Sequence, residues 1–148
     1  MRKHPVTWIV IADGSRARIV TRRHEAAGFD IVAEMHSLEA HVPSHLIASE
    51  RPGRTQESGY SGRHAIEPRL DPHQERLTAF IRSVAAYLNE HAAGPAVDDL
   101  ILFAPPHALG QLRPMLDKAV AGKIRAEAPK DLTKLPLSEL AEHLPALR

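Results

Sequence analysis

No cysteine occurs among the 148 residues, so disulfides, thiolate metal sites and a cysteine nucleophile are excluded, and a reducing compartment suits the chain. An excess of one charge is missing too. The 19 Lys and Arg are nearly balanced by 18 Asp and Glu, for a formal net charge of +1, and this balance announces neither a nucleic acid nor a membrane as partner. Any basic patch must be local. No apolar run approaches a membrane span. The run after the basic Met1-Arg2-Lys3-His4-Pro5 stretch is about five residues, short even of a signal-peptide core. A soluble, cytoplasmic protein with no membrane partner is expected. The glycine loops of nucleotide-binding proteins are absent, and Gly59-Tyr60-Ser61-Gly62 falls one residue short of the serine-hydrolase elbow. No cofactor is expected.

What the chain does have is enough apolar material for one core. With 43% hydrophobic residues, residues 1–148 fall in the single-domain range, and no linker divides them. Trp8, Ile9, Val10, Ile11 and Ala12 show no polar face, which predicts a strand inside the sheet, covered on both sides. Asp13-Gly14 turns the chain back, because Gly adopts positive φ at little cost and Asp tolerates it. From Arg16 to Arg22, Ala17, Ile19 and Thr21 alternate with Arg16, Arg18, Val20 and Arg22, a strand with one covered face and one wetter, basic face. Phe29 to Leu38 supplies a third strand. Short connections make the three an antiparallel meander, since parallel pairing needs a crossover of a dozen or more residues.

From about Glu39 to Leu70 the hydrophobic period disappears, and Pro43, Pro52, Gly53, Gly59, Gly62 and Pro68 lie among arginines, serines and histidines. Roughly 30 residues without a regular element points to a functional or disordered loop. Asp71-Pro72-His73-Gln74 then reads as a helix start, with Asp71 as N-cap and Gln74 placed to complete a capping box. Leu77, Phe80, Ile81, Val84 and Leu88 form its apolar stripe, and Gly94-Pro95 ends it. Leu100 to Ala104 is a buried parallel strand by its uninterrupted apolar character. A second helix around Leu109, Leu112 and Leu116 should be kinked or restarted at Pro114. Ile124, Ala126 and Ala128 mark a last strand near an edge, and Leu137, Leu140, Ala141 and Leu144 mark a short C-terminal helix starting near Pro136. The fold class is α/β, a mixed five-stranded sheet of ribonuclease-H-like layout.

Four stretches carry a resemblance. Ile9 to Arg18, Arg51-Pro52-Gly53-Arg54, Arg63-His64-Ala65-Ile66-Glu67-Pro68 and Lys130-Asp131-Leu132-Thr133 resemble the bacterial family named for being required for attachment to host cells, over nearly the whole chain. That family is in turn similar to the central domain of archaeal and eukaryotic peptide-chain release factors, which has a similar strand, Asp-Gly-Ser turn, strand and strand before a long loop and helix. The resemblance implies an RNA- or ribosome-binding module in or near translation, with any attachment role indirect. The ribosome or tRNA would be the partner. In release factors the loop carries a Gly-Gly-Gln tripeptide. Here the nearest pieces are Pro52-Gly53-Arg54 and Ser61-Gly62-Arg63, so that catalytic glutamine is not carried over, and a non-enzymatic module is expected.

The residues themselves leave two readings of the basic positions open. Arg16 and Arg18 on the hairpin, with Arg51, Arg54 and Arg63 in the loop, would form a phosphate-binding surface, with Tyr60 stacking on an unpaired base and His64 beside it. Alternatively the loop is simply solvated, with Glu50, Glu57 and Glu67 neutralising most of its charge. A hydrolase or nuclease acting on RNA is the alternative function. For it Asp13, Asp98 and Asp99 would have to converge on divalent ions, although a turn already explains Asp13. His36, His41 and His45 have no zincin-like spacing, and no metal is expected. An exposed edge strand would permit a homodimer.

Overall fold

The computed structural model describes residues 4–22, 28–37 and 71–144. In chain order the elements are β1 (Thr7–Ala12), β2 (Arg16–Arg22), β3 (Phe29–His36), α1 (Pro72–His91), β4 (Asp99–Phe103), α2 (Pro106–Leu112), a 3₁₀ turn Arg113–Met115, α3 (Lys118–Ala121), β5 (Ile124–Ala128) and a 3₁₀ segment Leu137–His143. The strands form one mixed sheet in the order β3-β2-β1-β4-β5. The meander is antiparallel, and β1 pairs in parallel with β4, and β4 with β5. The long irregular stretch expected over 39–70, which holds Arg51, Arg54, Tyr60, Arg63 and His64, lies outside the described residues.

Strand alternation sends the side chains of β1 to two cores, as its unbroken apolar run requires. Val10 and Ala12 join Ala17, Ile19, Leu100 and Leu102 beneath Phe80, Ile81, Val84 and Leu88 of α1, with Ala108, Leu109 and Leu112 of α2 and Val120 of α3 alongside. Ile9 and Ile11 face the other way, joining Val20, Phe29, Ile101 and Phe103 beneath Leu132 and Leu140 of the C-terminal segment. Each fully buried Ile, Leu or Val contributes about 1.5–3 kcal/mol. The three described α-helices therefore lie on one face, and the irregular segment 129–144 lies on the other.

Polar groups fasten both layers. The Lys123 ammonium donates to the carbonyls of Ala92 (2.7 Å), Gly94 (2.6 Å) and Val97 (2.7 Å), using all three of its hydrogens to hold the end of α1 and the turn after it. Asn89 of α1 donates to the Met115 carbonyl (3.1 Å) and accepts from the Asp117 N–H (2.8 Å), which docks the broken second helix.

Several local expectations are corrected. Asp13-Gly14 turns the chain without a left-handed glycine, because Gly28 (φ 112°) is the only described residue with positive φ. The turn is made instead by the Asp13 side chain, whose Oδ1 accepts from the backbone N–H of Ser15 (2.7 Å) and Arg16 (2.8 Å). Glycine at position 14 leaves room for Leu77, whose flexible Cδ1 end would lie 3.0 Å from a Cβ there. Asp71 occupies the N-cap of α1 but makes no side-chain cap bond, and Gln74 closes no capping box because its Oε1 meets His107 Nε2 of α2 at 3.0 Å. Of the two outcomes expected at Pro114, the restart is the one observed: the proline sits in the first turn of the 3₁₀ segment that separates α2 from α3. The C-terminal helix is 3₁₀ throughout. Between Pro136 and Pro145 the chain is too short to repay nucleation of an α-helix, and a single buried side chain, Leu140, anchors it.

Candidate functional site

Among the described residues, the covering of the second face is incomplete. Segment 129–144 protects β1, β4 and β5, while β2 and β3 turn charged residues toward the same side. In the β2–β3 register Arg16 lies opposite His36, and Arg18 lies opposite Glu34. Together with Ala17 and Thr133 these residues line a cleft of about 190 Å³.

One wall is built by a hydroxyl bridge between chain ends. Asp131 starts a turn by accepting the Thr133 N–H at 3.0 Å and the Thr133 hydroxyl at 2.6 Å. The same hydroxyl lies 3.1 Å from Oδ2 of Asp13. It has one hydrogen, so the two carboxylates share it, with the shorter contact to Asp131. Burial pushes the Asp13 carboxyl up, but the N–H groups of Ser15 and Arg16, the Thr133 hydroxyl and the Arg16 charge outweigh it and hold the carboxyl below its ordinary value.

Arg18 completes the wall. Its Nη2 donates to the carbonyls of Leu132 (3.0 Å) and Leu135 (2.8 Å), so it clamps the C-terminal segment to the sheet. The wetter, basic face expected of β2 is thus half covered, with Val20 fully buried beside Arg18. A register shift between Ile19 and Val20 accompanies the change from arginine to valine on this face.

The commitment of Arg18 leaves its neighbours unsatisfied. Glu34 forms no ion pair with the arginine directly across from it, and no hydrogen bond or ion pair engages Glu34, His36 or the Arg16 guanidinium among the described residues. The Nε atoms of Arg16 and Arg18 are buried without a hydrogen-bond partner, and Arg16 lines the cleft. Ser37, the residue after β3, donates to the Ser15 carbonyl at 2.8 Å, so the chain departs toward residue 38 from the rim of the cleft.

Of the expected site residues, Arg16 and Arg18 are therefore brought together with different tasks, and Arg22 instead lies 5.7 Å from the centroid of the Phe29 ring. Glu34 and Thr133 were not expected at a site, and His36 was weighed only as a metal ligand. Cross-strand register was the missing signal for Glu34 and His36, and no local pattern announces a contact between positions 13 and 133. The carboxylates needed for metal-dependent hydrolysis do not converge. Asp99 pairs with Thr7 at the start of β1, roughly 20 Å from Asp13 at about 3.3 Å per residue. Among the described residues no group of three or more His, Asp or Glu is placed to hold a metal ion, and no helix is long and apolar enough to cross a membrane.

With this geometry in hand, the relatives can be placed. The model of the family described as "Protein required for attachment to host cells" matches residues 8–144. The chain belongs to that family. No curated protein matches it. Among solved structures, this host-attachment-family chain is similar to an archaeal translation termination factor, aRF1, with a TM-score of 0.52 and 12% identity over 94% of its length. A second similar structure, described as an archaeal protein, has a TM-score of 0.49 and 14% identity over 88% of the chain. The host-attachment chain spans about a third of each, 35% and 31%. At 12% identity the likeness to aRF1 is one of fold, and it agrees with the release-factor-like layout that the strand, Asp-Gly-Ser turn and strand implied.

Proposed function

We propose that this host-attachment-family chain is a non-enzymatic RNA- or ribosome-binding module acting in or near translation, with any attachment role indirect. The observation that carries this reading is the Arg16 guanidinium, which lines the cleft with no hydrogen-bond acceptor among the described residues. Guanidinium forks match phosphate oxygens bidentately. The release-factor-like fold supports the same direction by analogy, since fold alone fixes no chemistry. Arg18 serves as the residue that positions the cleft wall. Arg51, Arg54 and Arg63, with Tyr60 and His64, lie outside the described residues and are proposed as further contacts to tRNA or ribosomal RNA.

Co-sedimentation with ribosomes across a salt series tests this. Association should weaken as salt rises, and each Arg→Ala change at Arg16, Arg51, Arg54 or Arg63 should lower the slope of log affinity against log salt by about 0.7–0.9. Sequence preference should hardly change, because phosphates carry no base identity. Equal sedimentation of wild type and the quadruple variant, or no association even at low salt, would remove the reading.

A further inference from the structure

The RNA reading asks only for phosphate contacts, yet the cleft contains more than a cation. Among the described residues, the Glu34 carboxylate has no hydrogen-bond or ion-pair partner, and the Arg16 guanidinium has no hydrogen-bond acceptor although its charge acts on the Asp13 carboxyl. The two line the same small space and are not paired with each other. Register explains why. Glu34 stands opposite Arg18, whose Nη2 is already given to two backbone carbonyls, and Arg16 stands opposite His36. The two open groups occupy diagonal positions on neighbouring strands, where side chains are about 7–8 Å apart at their bases. A bare phosphate would satisfy Arg16 and be repelled by Glu34. A ligand that fits must present acceptor oxygens at one end and hydroxyl donors at the other, because a carboxylate is an acceptor only.

We propose that the cleft is a socket for one ribose-phosphate unit, its phosphate on the Arg16 guanidinium and its 2′- and 3′-hydroxyls on the Glu34 carboxylate. This deepens the RNA reading and rests on it for the claim that the unit belongs to an RNA strand, whereas the chemistry of the socket is independent of that source. Size supports a single unit. At about 190 Å³ the cleft lies below the roughly 300–1,000 Å³ of pockets that enclose drug-sized ligands, so a sugar phosphate is held while a base remains outside. The hydroxyl contact discriminates ribose from deoxyribose, as RNA recognition requires. The walls are set before the ligand arrives, because the Arg18 clamp and the Asp13–Thr133–Asp131 bridge fix segment 129–144 without using Arg16 or Glu34.

Amide NMR titration of the whole chain tests the socket, using methyl riboside 5-phosphate, its 2-deoxy counterpart and inorganic phosphate as separate probes. The riboside phosphate should shift the amides of residues 16–18 and 34–37 and bind about tenfold more tightly than either other probe. Glu34→Gln should abolish that preference, and Arg16→Met should abolish binding of all three. If Arg16→Met perturbs the whole spectrum, Arg16→Lys replaces it and should weaken the riboside phosphate by losing the bidentate fork. A 5′-phosphorylated single-stranded RNA forms the last arm. Shifts at the same amides assign the unit to RNA, and riboside-phosphate binding with no response to RNA keeps the socket while removing the translation reading. Equal affinity for all three probes, shifts confined to other residues, or a Glu34→Gln protein that keeps the preference would overturn the socket, even where RNA binds elsewhere.

Discussion

The two faces of the sheet are covered by different physics. On one, three helices lay an apolar stripe against alternate residues of β1, β2 and β4, and the contact is continuous from Val10 to Val120. On the other, a segment with only 3₁₀ structure covers the same strands through Leu132 and Leu140 and is secured by polar clamps, Arg18 to two carbonyls and Thr133 to Asp13. A helix covers a face by repetition of side chains every three to four residues. An irregular segment must bring its own backbone into contact, and its carbonyls then need donors. Arginine on a strand meets that need, and the strip of sheet beyond the clamp forms the cleft among the described residues.

The largest test of this contrast compares two leucines that are both 0% exposed, Leu88 of α1 and Leu140 in the 3₁₀ segment. Leu88→Ala should cost the upper part of the roughly 2–5 kcal/mol range for such truncations, because a packed helix relaxes little into the cavity. Leu140→Ala should cost the lower part, since the short segment can settle, and denaturant unfolding reads both. Equal losses would make the two coverings equivalent and break the comparison.

Arg18→Met keeps the stem and removes the clamp, and should cost about 1–3 kcal/mol. Hydrogen exchange should quicken over residues 129–140 with little change in α1. Acceleration in both regions alike would show that the second face is not an independently fastened layer.

Acid should loosen the polar side first. The carboxyl of Asp13 lies below its ordinary value when folded, so its contribution is fully present above the unfolded value of about 3.9 and is lost as pH falls through the lower folded value. A pH series of unfolding midpoints should show this loss below about pH 4, and Asp13→Asn should be less stable at neutral pH and flatter across the acid limb. A variant with the wild-type acid slope would assign the loss to other groups.

The smallest effect is expected at Gly14. Its φ is not positive, and its added Cβ meets the flexible end of Leu77, so Gly14→Ala should cost under about 1 kcal/mol, and Leu77→Ala should relieve most of it in a double-mutant cycle. A larger loss that Leu77→Ala leaves untouched would point to backbone strain instead.

The strands and the first helix were legible in the residues because their signals are local. Five apolar residues from Trp8 to Ala12 need two cores, and the stripe Leu77, Phe80, Ile81, Val84, Leu88 needs one sheet face. The meander followed from connection lengths, the parallel pairing of β4 from its uninterrupted apolar run, and the edge position of β5 from its alternation. The identity of the turn residues was also legible, although the reason for glycine was not, since Leu77 lies far along the chain from Gly14. The hairpin arginines stood out from the start as one basic face. What only the tertiary structure decided was their division of labour. A side chain's free hydrogen-bonding capacity depends on which backbone groups are brought to it, and the carbonyls that occupy Arg18 come from positions 132 and 135. By the same cause Glu34 lost the cross-strand partner that register alone would have assigned it.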